Sequence, residues 1–265
     1  MNAGKTAPAS DPAAHAAIGA ACRTLGLPGI AEAASPLADA AARQRLTHAS
    51  YLAEVLTYEC EQRDDRRRVR RVKEAKFPRP KRLEDLDTAH FPDLPPATLA
   101  HLATGAWIDK GEPLVLLGDS GTGKTHLLIA LGTAAAEQGR RVRYTTTAAL
   151  VNELVEAADV KELSRVVGRY ARIDLLCLDE VGYVQLDTRG AELLFQIITA
   201  REERASIACA SNAPFSEWGQ TFTDPRLAAA IVDRLTFRGH IIDTGTESYR
   251  LRTTRQNKKP VPGST

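Results

Sequence analysis

The sequence predicts a parallel, doubly wound α/β domain preceded by a small all-helical region. From about Thr98 onward, apolar runs bounded by turn residues alternate with stretches of helical periodicity. The run LVLL (114–117) is apolar at every position, as in a parallel strand covered on both faces. Between about His15 and Lys76 no strand signal occurs. There Leu25, Leu37, Leu46, Leu52, Val55 and Leu56 recur among alanines and charged residues at the spacing of short amphipathic helices.

Residues 1–14, rich in Ala, Pro and Ser, are expected to be disordered. The helical region, 15–76, closes with the charge run ECEQRDDRRRVRRVKEAKFPRPKR. In it Arg66, Arg67, Arg68, Arg70, Arg71 and Lys73 crowd into about two turns. That run reads either as a solvated helix face or as a stripe that contacts phosphates. The prolines of FPRPKRLEDLDTAHFPDLPP mark an extended linker over 77–97. The α/β domain then occupies 98–253. Its first strand, LVLL, leads into a helix from near Lys124 that stops at Gly139, a residue suited to a helix end. VRYTT (142–146) is a second strand, and two helices fill Ala148 to Tyr170. IDLLCLDE (173–180) is a third strand, and a helix over Gly190 to Arg204 precedes a fourth, SIACASN (206–212). The helix DPRLAAAIVDRLTF and a fifth strand, HIID (240–243), complete the alternation, and 254–265 is a disordered tail.

Composition narrows the function. Hydrophobic content of 43% and charged content of 26% are ordinary for a folded globular chain. Aromatic content of 5% argues against a base-stacking platform for single strands. Net charge is only +2, so contacts to nucleic acid must come from local clustering. No apolar stretch approaches the roughly 18 residues that span a bilayer, and MNAGKTAPASDPAAHAAIGAA lacks the apolar centre of a secretory signal. Cys22, Cys60, Cys177 and Cys209 form no CxxC pair and read as small hydrophobes, so the expected compartment is the cytoplasm.

Residues 118–125 read GDSGTGKT. Gly118, Gly123, Lys124 and Thr125 satisfy GxxxxGK(S/T), with the apolar strand before and the helix after that the motif requires. The glycines let backbone amides turn inward around an anion, and the helix N-terminus adds its positive partial charge. Lys124 is a compact charge for β- and γ-phosphate oxygens, and Thr125 offers a hydroxyl to Mg2+. Asp119, Ser120, Gly121, Thr122 and His126 complete the loop and the start of its helix. A structural glycine turn would not need the Lys–Thr pair, so the phosphate chain of a nucleotide, with Mg2+, is the expected ligand.

Asp179 ends an apolar strand, where loops gather around ligands in open α/β sheets, and can hold the metal or its water. Glu180, one residue on, can orient and deprotonate an attacking water, which tilts the reading from phosphoryl transfer toward hydrolysis. Ser211 and Asn212 end the fourth strand; either a γ-phosphate contact or an Asx-type turn fits them. Arg226, Arg234 and Arg238 lie on or just after the last helix. Each is either a solvated arginine or a finger reaching a neighbouring subunit's γ-phosphate.

Taken together, GDSGTGKTHLLIALG, RVRYTTTAALVNEL, IDLLCLDEVGYVQLDTRGAELLFQII, SNAPFSEWGQTFTDPRLAAAIVDRL and ESYRLR resemble the IstB-like transposition helper ATPases over roughly Lys81 to Arg252. SNxPFSEW followed by DP and AAAIVDRL is not shared with P-loop proteins at large. The resemblance implies a P-loop AAA+ core, with Asn212 as the sensor of the γ-phosphate and Arg234 as the finger across a subunit boundary. It also implies a homo-oligomer on duplex DNA, with little sequence preference, that delivers a target site to a transposase. No membrane role follows. Where the family pattern leads one to expect LEDFD, this chain has LEDLD, with Leu86 in place of an aromatic residue. The short tail leaves no room for a C-terminal helical lid with a second sensor arginine, for which Arg250 or Arg252 could substitute.

Candidate DNA contacts are Arg66, Arg67, Arg70 and Arg71 of the charge run, with Lys161, Arg165 and Arg169 on the helices after the second strand. The same ATP chemistry would serve a DnaC-like replicative helicase loader, the alternative reading. Glu180 and the arginines stand against a small-molecule kinase, and the full set of reactive residues stands against an inert phosphate-binding scaffold.

Overall fold

Alanine-rich helices can approach one another closely, and the amino-terminal part of the chain is built on that. The computed structural model describes residues 11–246 except 89, 90 and 92. It divides into two units, one ending at Val69 and one beginning at Arg70, rather than after Lys76. The first unit holds α1 (Asp11–Leu25), α2 (Pro28–Gln44) and most of α3 (His48–Ala75). Residues 11–14, expected to be disordered, are already helical, since Pro12 sits in the first turn, where its missing N–H costs nothing. The buried apolar residues here are small: Cys22, Ala33, Ala34, Ala41 and Val55. Leu25, Leu52 and Leu56, read as an apolar stripe in the sequence, are exposed.

Helix α2 has no side-chain cap of its own, and Glu59 of α3 supplies one from a distance. Its buried carboxylate accepts the Ile30 N–H at 3.0 Å and the Arg63 and Arg66 guanidiniums at 2.8 and 3.2 Å. Burial pushes this carboxyl up, but Arg63 and the α2 amides outweigh burial and hold it below the ordinary carboxylate range.

The second unit contains α4 (Pro96–Thr104), α5 (Ala106–Asp109), β1 (Leu114–Leu117), α6 (Lys124–Glu137), β2 (Val142–Thr146), α7 (Thr147–Asp159), α8 (Leu163–Ala171), β3 (Leu175–Val181) and α9 (Thr188–Arg201). It continues through β4 (Ser206–Ser211), a 3-10 turn (Phe215–Glu217), α10 (Trp218–Thr221), α11 (Pro225–Thr236) and β5 (His240–Asp243). All strand pairs are parallel, in the order β2-β3-β4-β1-β5. Alternation along the strands builds two cores. Val115, Leu176, Leu178 and Cys209 pack on one face against α7, α8, α9 and α11. Leu114, Leu116, Cys177 and Ala208 pack on the other, against α4, α5 and α6. Cys177 and Cys209 are both fully buried, and burial pushes both thiols up.

Capping explains where elements begin. Thr146 accepts the Ala149 N–H at 3.2 Å to open α7, and Asp187 accepts the Gly190 N–H at 2.7 Å to open α9. Thus α9 starts at Thr188, ahead of the expected Gly190, and ends at Arg201 rather than Arg204. The proline-rich stretch after α3 lies against the second core, where Phe77, Leu83, Leu86, Phe91 and Leu94 pack. Gly132, inside α6, makes room for it: a Cβ there would meet the Phe77 ring at 2.9 Å. Among the described residues no helix follows β5, and none is long and apolar enough to cross a membrane. Arg250, Arg252 and the tail 254–265 lie outside the described residues.

A depressed folded-state pKa stabilises above the unfolded-state value and loses that contribution as pH falls through the folded one. Glu59→Gln is therefore expected to cost about 1–2 kcal/mol at pH 7, read by urea unfolding. The gap to wild type should shrink in acid; a gap independent of pH would sink the account of Glu59 as an ionised cap.

Candidate functional site

The loop between β1 and α6 depends on residues whose backbone can turn left-handed. Gly118, Gly121 and Gly123 have φ of +138°, +91° and +103°. A Cβ on Gly118 would lie 2.4 Å from the Thr244 hydroxyl and 2.8 Å from the Gly245 carbonyl. The segment after β5 thus supports the loop from behind. Asp119 donates its N–H to the Gly245 carbonyl at 3.1 Å, and the Thr122 and Thr244 hydroxyls hydrogen-bond at 2.6 Å. Thr122 consequently faces away from solvent, while Ser120, Gly121, Gly123, Lys124, Thr125 and His126 line an open cleft of about 380 Å3. Helix α6 starts at Lys124 with no side chain capping it, so its first amides remain available to an anion.

The Lys124 ammonium donates to the Gly118 and Asp119 carbonyls at 2.5 and 2.7 Å, drawing the loop into a curve. Burial lowers its pKa, opposed by the charges of Asp179, Asp119 and Asp243. His126 also titrates below its ordinary value, chiefly through burial, and its Nε2 is buried without a partner.

Across the cleft, β3 delivers Asp179 and Glu180. Asp179 is buried; one oxygen accepts the Tyr144 hydroxyl at 2.7 Å and the other the Glu180 N–H at 2.9 Å. Burial first, and then Asp179, pushes the Tyr144 phenol up, so it stays a donor. Each carboxylate oxygen keeps a lone pair, and the Thr125 hydroxyl lines the same cleft. Hard oxygen donors of this number suit Mg2+, which retains waters and takes its other ligands from a substrate's phosphates. Among the described residues no group of three or more His, Cys, Asp or Glu forms a self-contained metal site.

Glu180 is exposed and sits at φ +59°, where the β3–β4 register shifts between Leu178 and Val181. The strand therefore runs on to Val181, past the expected end. The two polar residues ending β4 part company. Ser211 is fully buried and spends its hydroxyl on the Ala213 backbone (2.7 and 3.1 Å) and the Trp218 indole N–H (3.2 Å). Asn212 instead lines the cleft, with its side-chain oxygen buried and unpartnered. Arg79, Lys81 and Tyr183, which the sequence gave no reason to single out, line it too.

Arg234 is not there. Its Nε lies 3.0 Å from Glu202, its Nη1 donates to the Ala230 carbonyl, and the guanidinium sits 4.8 Å from the centroid of the Phe195 ring. It lines a different cleft with Lys110, Pro113 and Ala205, which precede β1 and β4. In a parallel sheet that is the edge opposite the phosphate loop. Arg226 lies at the other end of α11, its N–H capped by Asp224 at 2.8 Å.

The candidate DNA contacts are largely paired with carboxylates. Arg66 reaches Glu59, Arg70 reaches Glu74 at 3.8 Å and Arg71 reaches Glu74 at 3.1 Å. Arg165 pairs with Glu162, and Arg169 with Glu153. Among the described residues Arg67 and Lys161 have no such partner. Arg66 and Arg67 belong to the first unit, and the others to the second.

A parallel sheet of order 2-3-4-1-5, a glycine loop between β1 and its helix, and an acidic pair ending β3 define a P-loop protein with an AAA+ core. Two solved structures share this fold. One is the replication initiator DnaA bound to AMPPCP and single-stranded DNA, at TM-score 0.55 and 23% identity over 69% of this chain and 56% of that one. The other is DnaI, at TM-score 0.52 and 20% identity over 62% of this chain and 90% of that one. The family model for IstB-like ATP binding proteins matches residues 20–257, and the chain belongs to that family. An insertion sequence ATP-binding protein of Sinorhizobium fredii is 36% identical over 92% of this chain and 83% of its own length. The IS21 ATP-binding protein of Pseudomonas aeruginosa is 36% identical over 83% of each chain.

Left-handed backbone costs a side-chain-bearing residue about 1–2 kcal/mol, and glycine gives back about 0.5–1 kcal/mol through its freer unfolded chain. Glu180→Gly is therefore expected to leave the protein as stable or up to about 1.5 kcal/mol more stable in urea. A loss above about 1 kcal/mol would show the backbone there to be unstrained.

Proposed function

We propose that this chain is an ATP-dependent, DNA-binding ATPase that assembles as an oligomer on duplex DNA and assists a partner transposase. One observation carries the reading. The phosphate loop, the acidic pair and Asn212 share one cleft, whereas Arg234 stands at the opposite edge of the same sheet. One copy therefore cannot bring Arg234 to its own loop, and a second copy presenting that edge would complete the site.

In this reading Gly118, Asp119, Ser120, Gly121, Thr122, Gly123, Lys124, Thr125 and His126 form the nucleotide loop. Lys124 contacts the β- and γ-phosphates, and Asn212 reads the γ-phosphate. Thr125 and Asp179 hold Mg2+, which when bound shields phosphate charge. Tyr144 fixes the orientation of Asp179, Glu180 orients and deprotonates the attacking water, and Arg234 of the neighbouring copy neutralises charge developing on the transferred group. The insertion-sequence relatives favour transposition over the loading of a replicative helicase.

The reading is tested by ATP turnover and particle size measured together, with and without duplex DNA. DNA-stimulated turnover alongside an ATP-dependent assembly supports it; a monomer whose turnover ignores DNA overturns it.

Glu180→Gln is expected to retain ATP binding while turnover falls at least about 100-fold, the low end for loss of a general base. Wild-type turnover in that variant would remove Glu180 from the role. Lys124→Ala should lose nucleotide binding, and Arg234→Ala should keep it but lose about 1,000-fold in turnover. Mixed, the two inactive variants should regain activity, because each supplies the half-site that the other lacks. No recovery, with both folded and associated, would exclude action across an interface.

A further inference from the structure

We propose that a basic cleft at the amino end of β2 holds backbone phosphates of duplex DNA, an inference that rests on the DNA-binding reading above. Arg71 at the end of α3, Lys76 just beyond it, Arg141 and Arg143 around the start of β2, and Arg169 on α8 converge on one cleft of about 440 Å3. Arg71 and Arg169, singled out separately in the sequence, belong to this one site; Lys161 and Arg165 do not line it.

A solvated face would turn these side chains outward and apart. Here Lys76, Arg141 and Arg169 are exposed, yet all five come from separate segments onto one concavity, where a bound anion relieves their mutual repulsion. Glu74 and Glu153, which also line the cleft, answer part of the charge: Arg71 meets Glu74 at 3.1 Å, and Arg169 pairs with Glu153. Just outside, Asp174 holds Arg141 at 2.7 Å. Among the described residues Arg143 and Lys76 make no ion pair within 4.0 Å, although the charge of Arg143 helps to hold Glu153 ionised. Each paired guanidinium keeps further N–H donors, and the Nε of Arg71 is buried without an acceptor. The carboxylates thus set the forks in place without saturating them.

Chemistry narrows the occupant. Arginine forks match phosphate oxygens two at a time. The cleft also contains Tyr170, in the last turn of α8, and a helix carboxyl end disfavours a compact dianion. Singly charged phosphodiesters, reached by long side chains from several directions, fit better. The contacts carry no base-edge readout, so binding here should be insensitive to sequence.

The test is a titration of a labelled mixed-sequence duplex of about 40 base pairs into the full chain with ATP, across about 50–300 mM salt. Lys76→Gln/Arg143→Gln removes two cations that make no hydrogen bond or close ion pair, and retained ATP binding reports that it folds. Expected are affinity at least about tenfold lower for two unrelated sequences and a log–log salt slope shallower by about 2. The control Lys161→Gln/Arg165→Gln should change the slope less. Unchanged affinity and slope, with wild type binding DNA, overturn the cleft alone, as does a larger effect in the control. Normal DNA binding with lost association to the transposase also overturns it, assigning the cleft to a protein. Wild type that binds no duplex at any salt overturns the DNA-binding reading as well.

Discussion

The site turns on how β3 ends. Leu176 and Leu178 face the core under α7 and α9, and strict alternation would send residue 180 into that same apolar row. Residue 180 is a glutamate, and an unpaired carboxylate buried there would cost several kcal/mol. The chain avoids this by inserting one left-handed residue: Glu180 takes φ +59°, the register with β4 slips, and Val181 fills the core position instead. Strain of about 1–2 kcal/mol replaces a larger desolvation cost. The gain is positional as well. Asp179 stays buried with both oxygens engaged, while its neighbour emerges into the cleft, so two adjacent carboxylates occupy different environments.

That arrangement was partly legible in the sequence. GDSGTGKT and LLCLDE announce their chemistry because both need fixed residue types at fixed spacing, and the apolar strands announce themselves because a parallel sheet is buried on both faces. The bulge was not legible, since Glu180 reads as the last residue of a strand until its partner strand is known. The same holds for Tyr144 and Thr244. Each lies far from its partner in sequence, 35 residues from Asp179 and 122 from Thr122, and only strand pairing brings them together. By spacing alone Ser211 and Asn212 are equivalent candidates; the family resemblance singles out Asn212, and the indole of Trp218 claims the serine. In the first unit the leucine stripe misled, because the helices pack through alanines and leave several leucines outside.

Gly132 shows the reverse case, where a residue that weakens a helix is explained by something off it. Glycine within a helix costs about 1 kcal/mol relative to alanine, and nothing in α6 itself calls for it. The reason is Phe77, whose ring occupies the space a side chain would need. Phe77, Leu83, Leu86, Phe91 and Leu94, from the stretch 77–97 read as a linker, are thereby part of the second core, and the Phe91 ring closes in on Gly123 of the phosphate loop. The loop is thus held from two sides, by this segment and by Thr244 after β5. Neither support carries the motif, yet both fix its curvature.

Parallel strands give the sheet two unlike ends, and the candidate reactive groups divide between them. Under the proposed assembly, Arg234 must exchange its contacts in the free chain for a neighbour's phosphate. Those contacts are modest: one partly buried pair with Glu202 is worth about 1 kcal/mol and the Phe195 ring a similar amount. Giving them up for a charge-assisted bond in a water-poor interface is favourable, yet they restrict the side chain beforehand, which lowers the entropy lost on docking. Glu202 would then be a holding partner with no part in the chemistry. Its removal should loosen Arg234 in the free chain while leaving the phosphate loop untouched, because the two lie at opposite ends of the strands.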